Sequence, residues 1–230
     1  MVADTHYYRI LFYSPEGQLQ EDLTIGGGNT AALVVNGITA SNSNSIVGVT
    51  SLRATADQGA VVFNGSASTF NALDVLADNA ITLNSGVTTD TGGITMNANA
   101  DGASDGIDAV RLGANVTAPA TQDVVFNSDV QLRRDVTIAG NDITFNGKID
   151  SESGRRSLTV NTSNSGLTIF DGTVGGTRAL KSLTTNRDGT TRLGANITVD
   201  MLDATFNDPV RLTNDVRVRG LRDAFITFNN

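Results

Sequence analysis

Apolar and polar residues alternate along most of this chain with a period of two. Segments such as Val136-Thr-Ile138, Leu158-Thr-Val160 and Val216-Arg-Val218 each place a polar residue between two apolar ones. This alternation is typical of a short β-strand with one buried face, because successive side chains in a strand point to opposite sides. Turn-forming pairs such as Asn-Gly, Gly-Gly and Asp-Gly separate the segments. The pattern predicts many strands of about three to five residues.

No segment has the sustained period of a long helix. The nearest approach is residues 70–77, where Phe70, Leu73 and Leu76 have helical spacing. Leu73 and Val75 alternate equally well, so a strand and a short helix both remain open there. We expect an all-β chain with no substantial helix.

Three sequence motifs occur twice, in the same order, at nearly constant separation. The second copy of each motif follows the first by about 80 residues. The pairs are Arg111–Thr117 with Arg192–Thr198, Phe126–Leu132 with Phe206–Leu212, and Ile143–Asn146 with Ile226–Asn229. A repeat of this length is therefore predicted, and such repeats are typical of solenoids and related architectures.

A shorter step lies inside the long repeat. Phe126 and Phe145 are about 20 residues apart, and so are Phe63 and the equivalent Leu83. Four coils of about 20 residues would make one long repeat, and the whole chain would make about eleven coils. We predict a parallel β-helix, in which each strand pairs with its equivalent in the next coil.

Three other all-β folds are less consistent with the spacing. An up-and-down barrel could also be built from short strands closed by turns. A propeller blade needs about 40 residues and usually an aromatic signature. A sandwich would show two-residue hairpin turns between longer strands.

Asparagine follows the last apolar residue of many predicted strands. It does so at Asn64, Asn84, Asn97, Asn127, Asn146, Asn207 and Asn229. Asparagine tolerates the left-handed conformation of a sharp corner, and its amide can hydrogen bond to an asparagine in the next coil. A simple preference for turns and a stacked asparagine ladder both predict a corner, and additional hydrogen bonds would distinguish them.

The amino-terminal segment, residues 1–22, differs from the rest of the chain. All three tyrosines and the single histidine, His6, lie in this segment. A solenoid needs its open ends covered, so we interpret residues 1–22 as a cap or docking segment and residues 23–230 as the β-helix. The sequence stops at Ile226–Asn230 without a comparable change, so we expect subunits to join end to end or the repeat to continue.

Composition and charge exclude several classes of partner and chemistry. The net charge is −8, and residues 1–115 carry eleven acidic against three basic residues, whereas residues 116–230 carry thirteen of each. An acidic chain without a basic stripe repels phosphate, so nucleic acid is not expected as a partner. No apolar run is long enough to insert into a membrane as a helix, and residues 1–30 lack the pattern of an export signal. The absence of cysteine excludes disulfides and thiolate chemistry.

Candidate catalytic and metal-binding residues are few. His6 is the only imidazole and lies in the expected cap, so we predict no catalytic residues, no cofactor and no enzyme activity.

Three carboxylates of the type that Ca²⁺ prefers lie close together in the sequence, at Asp101, Asp105 and Asp108. Their spacing fits neither calcium-loop pattern, so a solvated acidic turn explains them better. We expect the pairs Arg133-Arg134 and Arg155-Arg156 to be solvated strand ends near aspartates.

The order of motifs in residues 60–230 resembles a known family. The segments Gly175–Thr185, Gly189–Thr198 and Thr205–Leu212 are similar to the tandem β-strand repeat of very large bacterial surface exoproteins. That group is similar to the filamentous-haemagglutinin-like adhesins. The resemblance implies a right-handed β-helix, export, and a role in adhesion, matrix or cell-surface filaments.

We therefore expect a non-enzymatic structural protein of the bacterial cell surface or extracellular matrix, serving as an adhesin, stalk or filament segment. Its expected partners are further copies of itself and glycans of a host or cell surface. The alternative is a β-helix protein that binds or degrades polysaccharide, since such enzymes use paired carboxylates. Outside the expected cap, the outward positions offer no clear aromatic platform on which a sugar could stack.

Overall fold

The computed structural model describes residues 21–229. The predicted cap or docking segment, residues 1–22, lies outside the described residues except for Glu21 and Asp22. Within the described part the chain forms 25 short strands and a single helical turn, α1 (Ala40–Ser43). The prediction of an all-β chain with almost no helix is confirmed.

The strands follow one another along the chain at short intervals. They are β1 (Leu23–Gly27), β2 (Ala32–Asn36), β3 (Val49–Ala54), β4 (Ala60–Asn64), β5 (Ser68–Phe70), β6 (Ala72–Ala77), β7 (Ala80–Leu83), β8 (Val87–Thr89), β9 (Ile94–Asn97), β10 (Ala109–Leu112), β11 (Val116–Thr117), β12 (Val124–Phe126), β13 (Asp129–Leu132), β14 (Val136–Ala139), β15 (Ile143–Phe145), β16 (Ile149–Ser151), β17 (Ser157–Asn161), β18 (Leu167–Phe170), β19 (Ser182–Thr185), β20 (Thr190–Leu193), β21 (Ile197–Asp200), β22 (Ala204–Phe206), β23 (Val210–Leu212), β24 (Val218–Leu221) and β25 (Ile226–Phe228).

The strands form three parallel sheets that run the length of a solenoid. Sheet 1 has the order β1-β3-β6-β9-β12-β15-β18-β20-β23, and sheet 3 runs from β5 through β8, β11, β14, β17, β19 and β22 to β25. Sheet 2 comprises β2, β4, β7, β10, β13 and β16, and isolated bridges through Val174 connect it to the pair β21-β24. The predicted parallel β-helix is thus confirmed as a parallel β-solenoid.

The prediction of eleven coils is wrong, because the solenoid has about eight turns. Sheet 1 contains nine strands, and the chain rises by one coil between each strand of this sheet and the next, from Ile25 on β1 to its equivalent Leu212 on β23. The predicted step came from the shortest coils, such as Phe126 to Phe145. The coil from Met96 to Phe126 is much longer, because the connection between β9 and β10 adds an excursion. Stacked at about 4.8 Å per coil, the strands of sheet 1 give a rod of about 40 Å.

The two copies of the long repeat lie on different faces of the solenoid. Residues 111–117 belong to β10 and β11, on sheets 2 and 3, whereas residues 192–198 belong to β20 and β21, on sheets 1 and 2. From Phe126 to Phe206 the chain makes three turns and crosses two further faces, so the repeat is not the four coils we expected. The motif encodes a strand, a corner and a second strand, and different corners of the solenoid accept it.

The core consists of inward side chains stacked in columns. On sheet 1 the rings of Phe126, Phe145 and Phe170 stack with centroid separations of 5.1 and 5.3 Å and nearly parallel planes. The predicted inward residues Val136, Ile138, Ile143 and Phe145 are all buried, which confirms their assignment. The segment 70–77 is not a helix: Phe70 ends β5, and Leu73, Val75 and Ala77 are the alternate buried positions of β6.

The asparagine corners form a ladder in short pieces. The Asn146 amide donates a hydrogen bond of 2.7 Å to the side-chain oxygen of Asn127, and Asn229 donates one of 2.9 Å to Asn207. These bonds favour the ladder over a simple turn preference. The corner asparagines do not adopt the left-handed backbone conformation, because positive φ among residues 21–229 falls at other residues, for example at Gly189.

Gly189 needs its glycine for two reasons. Its φ is 92°, and a Cβ at this position would lie 1.9 Å from the carbonyl oxygen of Gly166.

Candidate assembly surface

The last coil exposes apolar side chains whose equivalents in the preceding coils are buried. Leu212 continues the inward column of Leu193 on sheet 1, yet Leu193 is buried and Leu212 is 59% exposed. Phe228 stacks on the buried Phe206 at 5.2 Å and is 51% exposed. Phe225, at the corner before β25, is also exposed. The end of the solenoid therefore presents an apolar surface and strand edges without partners in the described chain.

A shallow groove runs along sheet 2 beside this end. It consists of two adjoining cavities of about 250 and 360 Å³ that share Asn196 and Arg217. Thr198 and Arg219 also line the first cavity, and Leu212 also lines the second. We call this feature the carboxy-terminal groove. The two guanidinium groups and the exposed leucine can contact anionic and apolar groups of a ligand, and Asp215 also lines the second cavity.

Glu152 connects arginines from two earlier coils of sheet 2. Its carboxylate accepts hydrogen bonds from Arg111, two coils away, and from Arg133 at 3.0 Å, while Arg133 also donates to Asn84 at 2.6 Å. Burial raises the pKa of Glu152, but hydrogen bonds and charge from the two arginines lower it further, so the net pKa lies below its usual value. We expected aspartate partners for Arg133 and Arg134; the partner of Arg133 is a glutamate.

A second ion-pair cluster lies at the end of β21. The Asp200 side chain is only 2% exposed and accepts hydrogen bonds from Arg155 and Arg222. The Arg222 hydrogen bond is the largest cause of a lowered pKa for Asp200, and Arg155 adds to it against the effect of burial. The Arg155 side chain is 38% exposed and pairs with Asp200, so the expectation of a solvated arginine near an aspartate is confirmed for this residue.

A third polar cluster lies inside the solenoid. The Asp208 side chain is fully buried and accepts hydrogen bonds from the hydroxyls of Thr185, at 2.6 Å, and Thr191, at 2.9 Å. Thr168 precedes Thr191 by one coil on sheet 1, and its buried hydroxyl has no hydrogen-bond partner in the described chain. Asp208 thus fixes the corner between β22 and β23 through side chains of the coil below.

The candidate calcium residues lie in the excursion between β9 and β10. Asp101 accepts a hydrogen bond from the amide of Ala103, and Asp108 accepts one from Gly106. Partial desolvation raises the pKa of Asp105, and the charges of Asp101, Asp108 and two further aspartates add to the effect. Residues 21–229 contain no group of three or more His, Cys, Asp or Glu side chains arranged to hold a metal ion.

The outward surface of sheet 3 carries a column of threonines. Thr137, Thr159, Thr184, Thr205 and Thr227 lie in register on five successive strands. The next outward position on the later strands is an asparagine, as at Asn161 and Asn207. The face is therefore neutral and hydroxyl-rich. No exposed aromatic platform lies among these columns within the described chain.

The fold and these clusters place the described chain in the class of parallel β-solenoids. Comparison with protein-family models, with curated proteins and with solved structures gave no match. Within residues 21–229 no helix has the length and hydrophobicity needed to cross a membrane. His6 lies outside the described residues. The carboxy-terminal groove was not predicted from the sequence. The signal that could have indicated it is the pair of arginines at alternate positions 217 and 219.

Proposed function

We propose that this protein is a non-enzymatic structural segment of the bacterial cell surface or extracellular matrix, an elongated rod within an adhesin, stalk or filament. The observation that carries the proposal is the last coil, where Leu212 and Phe228 continue columns of core residues and yet are exposed. A further coil stacked on them would bury both side chains and pair the edges of β23, β24 and β25. Such stacking extends the rod, because a head-to-tail contact does not close on itself.

Two forms of continuation satisfy this surface. Either the repeat continues along the same chain, or the amino-terminal end of a second copy adds to the last coil by β-augmentation. Deletion of residues 1–22, followed by measurement of particle length by electron microscopy, tests the second form. Longer particles with the full chain than with the deleted chain are expected. Single rods of one length from both proteins, in a chain shown to be full-length, would contradict end-to-end joining.

The polysaccharide alternative has less support from the described residues. Exposed aromatic side chains among them are Phe225 and Phe228, both at the end of the rod and not along its faces. A sugar-processing solenoid needs stacking platforms and paired carboxylates along a face. We expect no oligosaccharide release from a panel of bacterial polysaccharides, and turnover that disappears on neutralising one acid pair would favour the alternative.

A further inference from the structure

We propose that the carboxy-terminal groove binds residues 1–22 of a second copy of this chain. The inference rests on the proposed end-to-end association and names its contact surface. The groove lies along β21 and β24 and reaches Leu212 at the edge of sheet 1. It is therefore continuous with the exposed apolar end of the rod.

The charges of the groove and of the segment are complementary. Arg217 and Arg219 occupy alternate positions in the sequence, are exposed, and form no ion pair within the described chain. The charged residues that line the groove are Arg217, Arg219 and Asp215, so the lining has a net charge of +1. Residues 1–22 carry Asp4, Glu16, Glu21 and Asp22 against Arg9, a net charge of −3 with His6 neutral. Complementary charge speeds association. It also favours binding of the acidic segment at the groove over binding at the neutral face of sheet 3.

The apolar residues of the segment also match those of the groove and of the adjacent strand edge. The segment contains Tyr7-Tyr-Arg-Ile-Leu-Phe-Tyr13, a run rich in aromatic and aliphatic residues with high β-propensity. Strand β23 is the last strand of sheet 1 and pairs only with β20, so its outer edge can accept a strand. Leu212 and Val216 line the groove beside this edge, where tyrosine rings can cover them. The face of a tyrosine ring can also receive a guanidinium such as that of Arg217.

Measurement of association distinguishes a second copy from the same chain as the source of the bound segment. A fully extended segment of the length of residues 1–22 spans up to about 70 Å, more than the rod of about 40 Å. The segment of the same chain could thus reach its own groove, and association distinguishes the two cases. Binding of a second copy makes particle size depend on protein concentration, whereas binding within one chain leaves a monomer at every concentration.

The test measures two quantities on the full chain. Sedimentation velocity over a range of concentrations measures association, and fluorescence anisotropy measures binding of a labelled synthetic peptide of residues 1–22. In the double variant R217E/R219E we expect peptide affinity to fall about tenfold or more, since two favourable charge contacts become repulsive. A peptide with Glu16→Lys and Glu21→Lys should recover affinity for this variant. R134E is the matched control, because Arg134 is exposed, has no ion pair within the described chain and lies remote from the groove.

The outcomes separate this inference from the proposed function. Concentration-dependent association that R217E/R219E abolishes and R134E preserves would support both. Association unaffected by R217E/R219E would overturn the groove as the contact surface and leave end-to-end joining intact. A full chain that remains monomeric at every concentration would overturn the second-copy occupant, whether or not it binds the peptide. Circular dichroism of each variant verifies that the solenoid is folded.

Discussion

Replacing Phe145 by alanine tests the columnar core most directly. The Phe145 ring is fully buried on sheet 1 and lies between the rings of Phe126 and Phe170, with centroid separations of 5.1 and 5.3 Å. Truncation leaves a cavity between two rings that backbone hydrogen bonds hold in adjacent coils. The neighbouring coils cannot collapse into the cavity without breaking the strand pairing on both sides.

The magnitude follows from the cavity and the two stacking contacts. Truncating a buried phenylalanine to alanine costs about 3–5 kcal/mol of unfolding free energy. Each aromatic pair contributes about 0.5–1.5 kcal/mol beyond area burial, so the two lost contacts place Phe145→Ala at the upper end of that range or above it. Phe228 has one stacking partner and is half exposed, so its truncation should cost only about 1–2 kcal/mol. Thr144 is on the outer face, and Thr144→Ala should cost within about 0.5 kcal/mol.

Urea denaturation followed by circular dichroism gives the three free energies. Hydrogen exchange at the amides of β12, β15 and β18 then reports whether the loss is local to the three stacked coils, as expected when each coil contacts only its neighbours. Equal losses at Phe145 and Thr144 would refute the assignment of inward and outward positions. A loss at Phe228 as large as at Phe145 would refute the view that the last coil is open.

The remaining predictions concern charge and corners. Glu152 has a lowered pKa in the folded protein, so its ion pairs stabilise the fold above its usual pKa of 4.5, and this stability is lost as the pH falls through the lower folded value. Denaturant midpoints between neutral and acidic pH should therefore depend less on pH in Glu152→Gln, and parallel curves for both proteins would contradict this role. Asp105 has a raised pKa, so its ionisation destabilises the fold, and Asp105→Asn should raise the midpoint at neutral pH but not below the usual pKa of 3.8. A lower midpoint at neutral pH, or a rise in the wild-type midpoint on adding Ca²⁺, would count against a solvated acidic turn. Asn146→Ala removes the 2.7 Å bond to Asn127 and should cost about 0.5–1.5 kcal/mol, and no measurable change would mean that this ladder is incidental.

The fold class could be predicted because alternation and repetition are local signals. Each inward column, such as Val136 with Leu158 and Leu183, comes from the same two-residue pattern in successive coils. The number of coils could not be predicted as well, since a solenoid accepts insertions at its corners without changing the register of its sheets. The excursion between β9 and β10 and the turn α1 lengthen their coils in this way.

The polar clusters were beyond sequence reasoning because their members are separated by one or more coils. Arg155 and Asp200 are 45 residues apart, and Arg111 and Glu152 are 41. Their pairing depends on the exact length of each intervening coil. An error of one residue in a coil moves a side chain to the opposite face of the sheet. The predicted equivalence of Phe126 and Phe206 failed for a related reason, since the repeat length is not a whole number of turns.

The coil-to-coil contacts that stabilise this rod are also those that the proposed end-to-end assembly would use. Each coil is stabilised mainly by its two neighbours, so the last coil, with one neighbour in the described chain, has fewer core contacts than the coils inside the rod. Arg222 connects this coil to Asp200 and, through it, to Arg155 two coils below Asp200. That cluster limits fraying but leaves Leu212 and Phe228 exposed. A further coil stacked on this end would bury both side chains, and the free energy gained would stabilise the last coil and hold the added subunit in place.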